Sequence, residues 1–253
     1  MKNSAIKGTL SFKSIFEKKA ELKILKNLFS KKIPDNEILE NLGMFLTAKN
    51  LSRILCLHYL YKKQVKVNGN IFDFGTRWGQ NATLFSTFRG IYEPFNRHKR
   101  IFAFDTFTGF KKINQKDGKS KLMKIGNLKT TQDYSKFLQE HLDLVDSLNP
   151  IPHIKKNEIK KGDAPKILKD LLKKNQELIV SLAYFDFDLY EPTLKCLQLL
   201  KPRFVKGTIL AFDELNDKDS PGETLALMKS IGLNKVKLER YKFASRISYF
   251  VFD

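Results

Sequence analysis

The sequence predicts an α/β domain: a mostly parallel sheet with a C-terminal antiparallel hairpin, preceded by a helical extension. Three observations carry this. Four short apolar runs, at 71–74, 101–104, 182–185 and 209–212, are continuous rather than alternating, as strands buried on both faces are. Each run contains or meets acids: Asp73, Asp105, Asp186 with Asp188, and Asp213 with Glu214. Stretches with helical spacing lie between the runs, so strands and helices alternate as they do around a parallel sheet. Open parallel sheets bind ligands at the carboxyl ends of their strands. A row of carboxylates is therefore expected along the rim of a ligand cleft.

The elements follow in order. Residues 10–64 read as helical, with Ile15, Leu22, Leu25, Leu28 and Phe29 at helical spacing up to a break at 31–35. Pro34 and Asp35 then open a second helix, from about Ile38 through Leu42, Phe45, Leu51, Ile54 and Leu55 to Leu60. Residues 67–70 form a turn. The first strand leads into a glycine loop at 75–79, a helix over 81–91 and a second strand over 100–105. Residues 106–135 are rich in Gly, Lys and Thr without periodicity, and are expected to form a long binding loop or lid. A short strand is expected at 158–162, an amphipathic helix at 164–174 and a central strand at 178–188. A helix at 190–200, a strand at 206–213 and a helix at 222–231 follow. Residues 236–241 and 247–252 pair antiparallel at the end. Two regions are expected: a helical extension over 1–66 and the sheet domain over 67–253.

Composition narrows the function. A chain of 253 residues, 42% hydrophobic and 29% charged, can bury its own core and reads as soluble. No apolar stretch is long enough to span a bilayer, and residues 1–10 lack the pattern of a secretory leader. Cys56 and Cys196 are far apart without metal spacing, which suits buried thiols in a reducing cytoplasm. The net charge of +19 points either to an anionic partner or to a lysine-biased composition. Lysine is scattered and no basic stripe interleaved with aromatics occurs, so the charge is read as bias with mild steering of anions. The four histidines form no catalytic or ligand pattern: His58 falls in an apolar helical stretch, and His98, His141 and His153 among polar residues.

The chemistry-bearing motifs lie at strand ends. Asp73-x-Gly75-x-x-x-Gly79 occupies a strand-to-helix turn, where glycine lets a ligand approach the backbone. It lacks both the Gly-x-Gly-x-x-Gly spacing of dinucleotide sites and the Lys-Ser/Thr of a phosphate loop. A carboxylate at Asp73 suits a ligand with a positive amino group instead. Trp78 either stacks on that ligand or packs beneath the loop. Asp105 ends the next strand, where an acid commonly pairs with ribose hydroxyls. Asp163 either meets an adenine edge or caps the following helix. Asp186 and Asp188 are two apart and would share one strand face, with Asp213 and Glu214 on the neighbouring strand end. Such carboxylates suit Mg²⁺, or a general base working without metal. Residues 89–93 are a further candidate for lining the pocket.

At these residues the chain resembles class I S-adenosylmethionine-dependent methyltransferases, with their Rossmann-like sheet. More narrowly it is similar to the macrocin O-methyltransferase family and related sugar-modifying enzymes. The resemblance rests on Phe72-Asp73-Phe74-Gly75-Thr76-Arg77-Trp78-Gly79, Phe104-Asp105-Thr106-Phe107-Thr108-Gly109-Phe110, Asp186-Phe187-Asp188-Leu189-Tyr190-Glu191-Pro192-Thr193 and Lys206-Gly207-Thr208-Ile209-Leu210-Ala211-Phe212-Asp213-Glu214. The four motifs occur in the family's order and cover about residues 69–253. The resemblance implies that Asp73, Gly75 and Gly79 approach the methionine part of S-adenosylmethionine, that Asp105 binds its ribose and that Asp163 lies near its adenine. Thr76, Thr106, Phe107 and Asp186, in the same motifs, are counted with the cofactor residues. It further implies Mg²⁺ held by Asp188, Asp213 and Glu214, with Asp188 and Asp213 as the catalytic acids. The chain departs from the family twice: the loop reads Thr76-Arg77-Trp78 where a Trp or Tyr more often comes earlier, and Glu214 stands where an Asp-Asp pair is common. The implied function is O-methylation of a sugar hydroxyl, on a nucleotide-linked sugar or a precursor of a surface polysaccharide or natural product. A cytoplasmic enzyme with a small-molecule partner is expected, with self-association possible through the N-terminal helices. The charge keeps a nucleic-acid methyltransferase or binder as the alternative, though the aromatic-proline motifs of base-modifying enzymes are missing.

Overall fold

The computed structural model describes residues 15–243 and 246–253. The expected lack of a leader at 1–10, and any helix before residue 15, lie outside the described residues. Helix α1 (Ile15–Leu28) is followed by two single 3-10 turns, and α2 (Ala48–Gln64) leads into the alternating part. That part comprises β1 (Asn70–Phe74), α3 (Gln80–Tyr92), β2 (Ile101–Asp105), α4 (Tyr134–Ser147), β3 (Asn157–Lys161) and α5 (Ala164–Lys174). It continues with β4 (Val180–Phe185), α6 (Tyr190–Leu200), β5 (Phe204–Phe212) and α7 (Gly222–Ser230), and ends with β6 (Glu239–Arg240) and β7 (Ser248–Val251).

The sheet order is β3-β2-β1-β4-β5-β7-β6. β1 to β5 run parallel, and β7 runs antiparallel to both β5 and β6. The expected fold class is therefore observed. The chain reverses its direction of winding between β1 and β4, and a crevice opens there at the strand ends.

Strand alternation assigns the two cores. Phe72, Phe74, Phe102, Phe104, Phe185, Phe212 and Phe250 face α5, α6 and α7. Their rings form a row across five strands, with centroids 4.9 Å apart for Phe104–Phe74 and for Phe74–Phe185, and 5.1 Å for Phe185–Phe212. Ile71, Ile101, Ala103, Leu182, Tyr184, Ile209 and Ala211 face the other way, against Cys56, Leu57, Leu60 and Tyr61 of α2 and against α3 and α4. Both cysteines are free and buried.

Four expectations on the elements are corrected. The second helix begins at Ala48, not near Ile38, because Thr47 accepts a hydrogen bond from the Asn50 backbone N–H and caps it there. The irregular segment ends at α4, a helix absent from the expected elements. β4 stops at Phe185 and the chain turns through Asp188 at φ 59°, so Asp186 and Asp188 do not share a strand face. The segment after β2 is not a loose lid. Phe110, Leu122 and Met123 form a small core with Leu189, and buried Asp117 accepts hydrogen bonds from the backbone N–H groups of Tyr190 (2.6 Å) and Asn114 (2.5 Å).

Candidate active site

A cleft of about 1250 Å³ opens over the carboxyl ends of β1, β2, β4 and β5. One wall is the turn from β1 to α3. Gly75 has φ 83°, and a Cβ there would lie 2.0 Å from the Asp186 carbonyl oxygen, so only glycine lets the β1 and β4 loops meet. Thr76 and Arg77 line the cleft. The Arg77 N–H donates to Asp105 Oδ2 (2.9 Å) and the Phe107 N–H to Asp105 Oδ1 (2.6 Å), which ties the β1 and β2 loops together. Thr106 lies beside them in the wall and donates to the Gly109 carbonyl at 3.0 Å. Asp163 lines the cleft and caps α5 through the Lys166 N–H (3.1 Å). Trp78 also does both: it lines the cleft and meets the Tyr134 ring edge-on at 4.9 Å.

Three of the expected cofactor residues lie behind this wall. Asp73 is fully buried on the α2–α3 face, because strand alternation puts it on the side of Ile71. Its Oδ1 accepts from Asn81 Nδ2 at 3.2 Å, and burial pushes its carboxyl up to about 6. Gly79 (φ 79°) makes room for the Leu138 side chain of α4, into which a Cβ would run at 2.2 Å. Phe107 turns its ring into the core. Residues 89–93 are likewise structural and not cleft lining. Buried Arg89 pairs with Asp146, which also holds Lys156 at 3.2 Å, while Glu93 takes Lys99 at 3.1 Å and Tyr61 Oη at 2.7 Å.

The acidic rim is organised by a residue far from it in sequence. Arg53 of α2 reaches Asp213 Oδ1 (2.7 Å), Asp186 Oδ2 (3.1 Å) and Asn81 Oδ1 (3.2 Å). Tyr184 Oη donates to the same Asp213 oxygen at 2.8 Å. Burial works against the Asp213 charge, yet Arg53, the Tyr184 hydrogen bond and Arg246 hold its carboxyl below the ordinary range. Burial and the Asp213 charge push Asp186 well up. Asp188 is pushed up to about 7 by burial, followed by the Asp213 charge, and no hydrogen bond to its carboxylate occurs among the described residues. Behind it, fully buried Glu223 accepts from the backbone N–H groups of Phe187 (2.8 Å) and Asp188 (3.3 Å) and holds this turn in place. Burial and the three nearby Asp charges keep the Glu223 carboxyl well above its usual range.

This arrangement does not match the Mg²⁺ expectation. No three His, Cys, Asp or Glu side chains among the described residues converge to hold a metal ion. Asp213 is engaged by Arg53 and Tyr184, and Glu214 by Arg246. Two of the three acids expected to hold the ion therefore already have a guanidinium as counter-charge.

No family model and no curated protein matches the chain. Solved structures do, along its whole length. The crystal structure of CalS11, a calicheamicin methyltransferase, superposes with a TM-score of 0.93 at 32% identity, covering 98% of this chain and 99% of that one. The apo structure of CalS11, described as a TDP-rhamnose 3′-O-methyltransferase of calicheamicin biosynthesis, gives 0.85 at 31% identity over 96% and 97% of the two chains. The chain belongs to the class I sugar O-methyltransferases. A further structure, the O-methyltransferase NovP, shares the fold at a TM-score of 0.59 and 13% identity over 79% of each chain.

As a class I sugar O-methyltransferase the protein takes its methyl group from S-adenosylmethionine, and the β1–α3 turn suits that ligand. Asp73 Oδ2, Thr76 Oγ1 and Arg77 Nε are buried without hydrogen-bond partners, although groups this well buried normally have one. Arg53, Glu223, Asp117 and Arg246 escaped the sequence reading. Arg53 and Glu223 sit in ordinary helical stretches, and nothing in the local pattern marks either one.

Proposed function

We propose that the protein transfers the methyl group of S-adenosylmethionine to a hydroxyl of a sugar carried on a nucleoside diphosphate. The whole-length likeness to a TDP-rhamnose methyltransferase carries this reading. S-adenosylmethionine supplies a methyl group already activated by a positive sulfonium. In the proposed mechanism Gly75 and Thr76 would hold S-adenosylmethionine, with Asp186 toward its amino group and Asp73 behind the wall, Asp105 at the ribose and Asp163 at the adenine. The acceptor hydroxyl lies against Asp188. The chain's part is to orient that hydroxyl toward the methyl group that bound S-adenosylmethionine would supply. Asp188, its carboxyl raised toward neutrality, would accept the hydroxyl proton as the methyl group leaves the sulfur for the oxygen, with S-adenosylhomocysteine as the leaving group. Asp213 stays ionised on Arg53 and Tyr184 and fixes the neighbouring wall. Lys49 and Arg53 also line the cleft, which supports a role for the helical lead through residue 66 in closing the acceptor side. Lys111 and Lys112, at the mouth, offer charge to a diphosphate.

The test is mass spectrometry of nucleoside diphosphate sugars, free sugars and RNA incubated with S-adenosylmethionine. Methylation of the nucleotide sugars alone is expected. Methylation of RNA alone would overturn the proposal and make the positive charge functional. A methylated nucleotide sugar is a building block for a surface polysaccharide or a glycosylated natural product, made where such precursors are found, in the cytoplasm. No helix among the described residues is long and apolar enough to cross a membrane.

A second reading keeps Mg²⁺, favoured by Glu214 Oε2, which is buried without a partner. Assays in chelator and with added Mg²⁺ separate the two. Unchanged turnover in chelator leaves the two guanidiniums as the counter-charge, whereas loss restored by Mg²⁺ places an ion among Asp188, Asp213 and Glu214. Self-association through the N-terminal helices is supported by exposed Phe16, Leu22, Phe29, Leu39 and Met44, since a helix of 14 residues is marginal by itself in water. Light scattering should return a multiple of the 29.4 kDa chain; a monomer would refute it.

A further inference from the structure

We infer that Arg77 binds the α-carboxylate of the cofactor's methionine part. The inference rests on the S-adenosylmethionine reading above. Arg77 lies midway between Gly75 and Gly79 in the β1–α3 turn and lines the cleft. Its φ of 45° is a conformation that residues other than glycine adopt at a cost, and such strain gathers where a side chain must be aimed. The Arg77 N–H bond to Asp105 holds the backbone in that shape. The side chain then stands half-buried, with its guanidinium carbon 5.6 Å from the centre of the Trp78 ring. Nε is buried without a hydrogen-bond partner, and the guanidinium makes no ion pair among the described residues.

Asp105, Asp186 and Asp188 lie near enough to favour the Arg77 charge, and the other basic groups of the cleft are committed or exposed. Arg53 holds Asp186 and Asp213, and Arg246 holds Glu214. Lys111, Lys112, Lys166 and Lys169 are exposed at the mouth, where a flexible ammonium is strongly hydrated. Arg77 alone among the three arginines is left with a free planar edge, the geometry that takes a carboxylate through parallel N–H donors. The methionine part of the cofactor is a zwitterion, with one carboxylate beside one amino group. Arg77 Nε, buried without a hydrogen-bond partner, meets the anionic half of that pair. Burying the carboxylate without such a partner would be costly.

Calorimetric titration tests this with two ligands, S-adenosylhomocysteine and its decarboxylated analogue, which keeps the amine and lacks the carboxylate. The wild type should prefer the first by about 10- to 100-fold, the size of one charge-assisted contact. Arg77→Met should bring that preference below about threefold by weakening S-adenosylhomocysteine alone. Arg77→Gly, which suits the positive φ and so guards against misfolding, should do the same, and Arg77→Lys should restore part of the preference. Equal weakening of both ligands in the variants, or a wild type without preference, would overturn the inference. A wild type that binds neither ligand overturns the cofactor reading together with it, and is told apart from one that binds both alike.

Discussion

Asp188 and Asp213 are the same residue type at adjacent strand ends, yet their carboxyls are driven apart. Asp213 has a guanidinium and a phenol on one oxygen, whereas Asp188 has burial and a neighbouring anion. Divergent environments of this kind separate a fixed anion from a proton acceptor. Asp188→Asn should lower turnover by about 100-fold or more while S-adenosylhomocysteine binding, read by calorimetry, changes less than about threefold. Normal turnover in that variant would remove Asp188 from the chemistry. Asp73 makes a prediction about stability. Its folded value of about 6 lies above the unfolded value of about 3.9. The folded state is therefore penalised whenever Asp73 is ionised. That penalty is fully present above pH 6 and is relieved as the pH falls toward 4. Ligand-free Asp73→Asn should be more stable than wild type at pH 8, by at most about 3 kcal/mol, and the gap should narrow at pH 5. Urea unfolding at both pH values checks this, and a gap that widens at pH 5 would contradict the assignment. The acids were legible in the sequence because they end apolar runs. Which of them lies behind the cleft wall was not read, although the period of two already places Asp73 opposite Phe72 and Phe74.

Helices were legible where their caps and stripes are strong. Asp163 with Pro165 and the Leu168, Leu171 and Leu172 stripe announced α5. α4 has a stripe, Leu138, Leu142 and Val145 at helical spacing, but no start signal: it opens on Asp133 in a left-handed conformation without a side-chain cap. Its importance shows only in three dimensions, where Leu138 sits against Gly79 at the start of α3. Gly79→Ala adds a Cβ to a positive-φ position and drives it into Leu138. A loss of about 2–4 kcal/mol is expected, measured by urea unfolding. Combining it with Leu138→Ala should cost less than the sum of the two single losses by about 1 kcal/mol, because the clash term vanishes while the backbone strain stays. Strict additivity would show that the two positions are uncoupled. Gly79 was read from the sequence as a cofactor contact, and the structure instead gives it a neighbour from a helix that was not anticipated.

At the scale of the whole molecule, Arg53 joins the helical lead to the sheet. It closes a path from α2 through Asn81 to Asp73, and directly to Asp186 and Asp213, so three strand ends share one counter-charge. Arg53→Met should destabilise the protein by about 1–3 kcal/mol, since it leaves two poorly solvated carboxylates without their cation. It should also lower turnover more than Arg53→Lys does, as read from paired unfolding and activity curves. Equal activity of the two variants would reduce Arg53 to packing. The sequence by itself determined the fold class, the order of the motifs along the chain and the acids at the strand ends, because continuous apolar runs, glycine turns and strand-end acids are local patterns. It also carried the family resemblance that whole-length similarity to CalS11 bears out. The tertiary structure decided which acids are paired, which are left to take a proton, and which arginine stays free. Those outcomes depend on residues as far apart as Arg53 and Asp213, and a charge's protonation state is set by what packs around it and not by its neighbours in the chain.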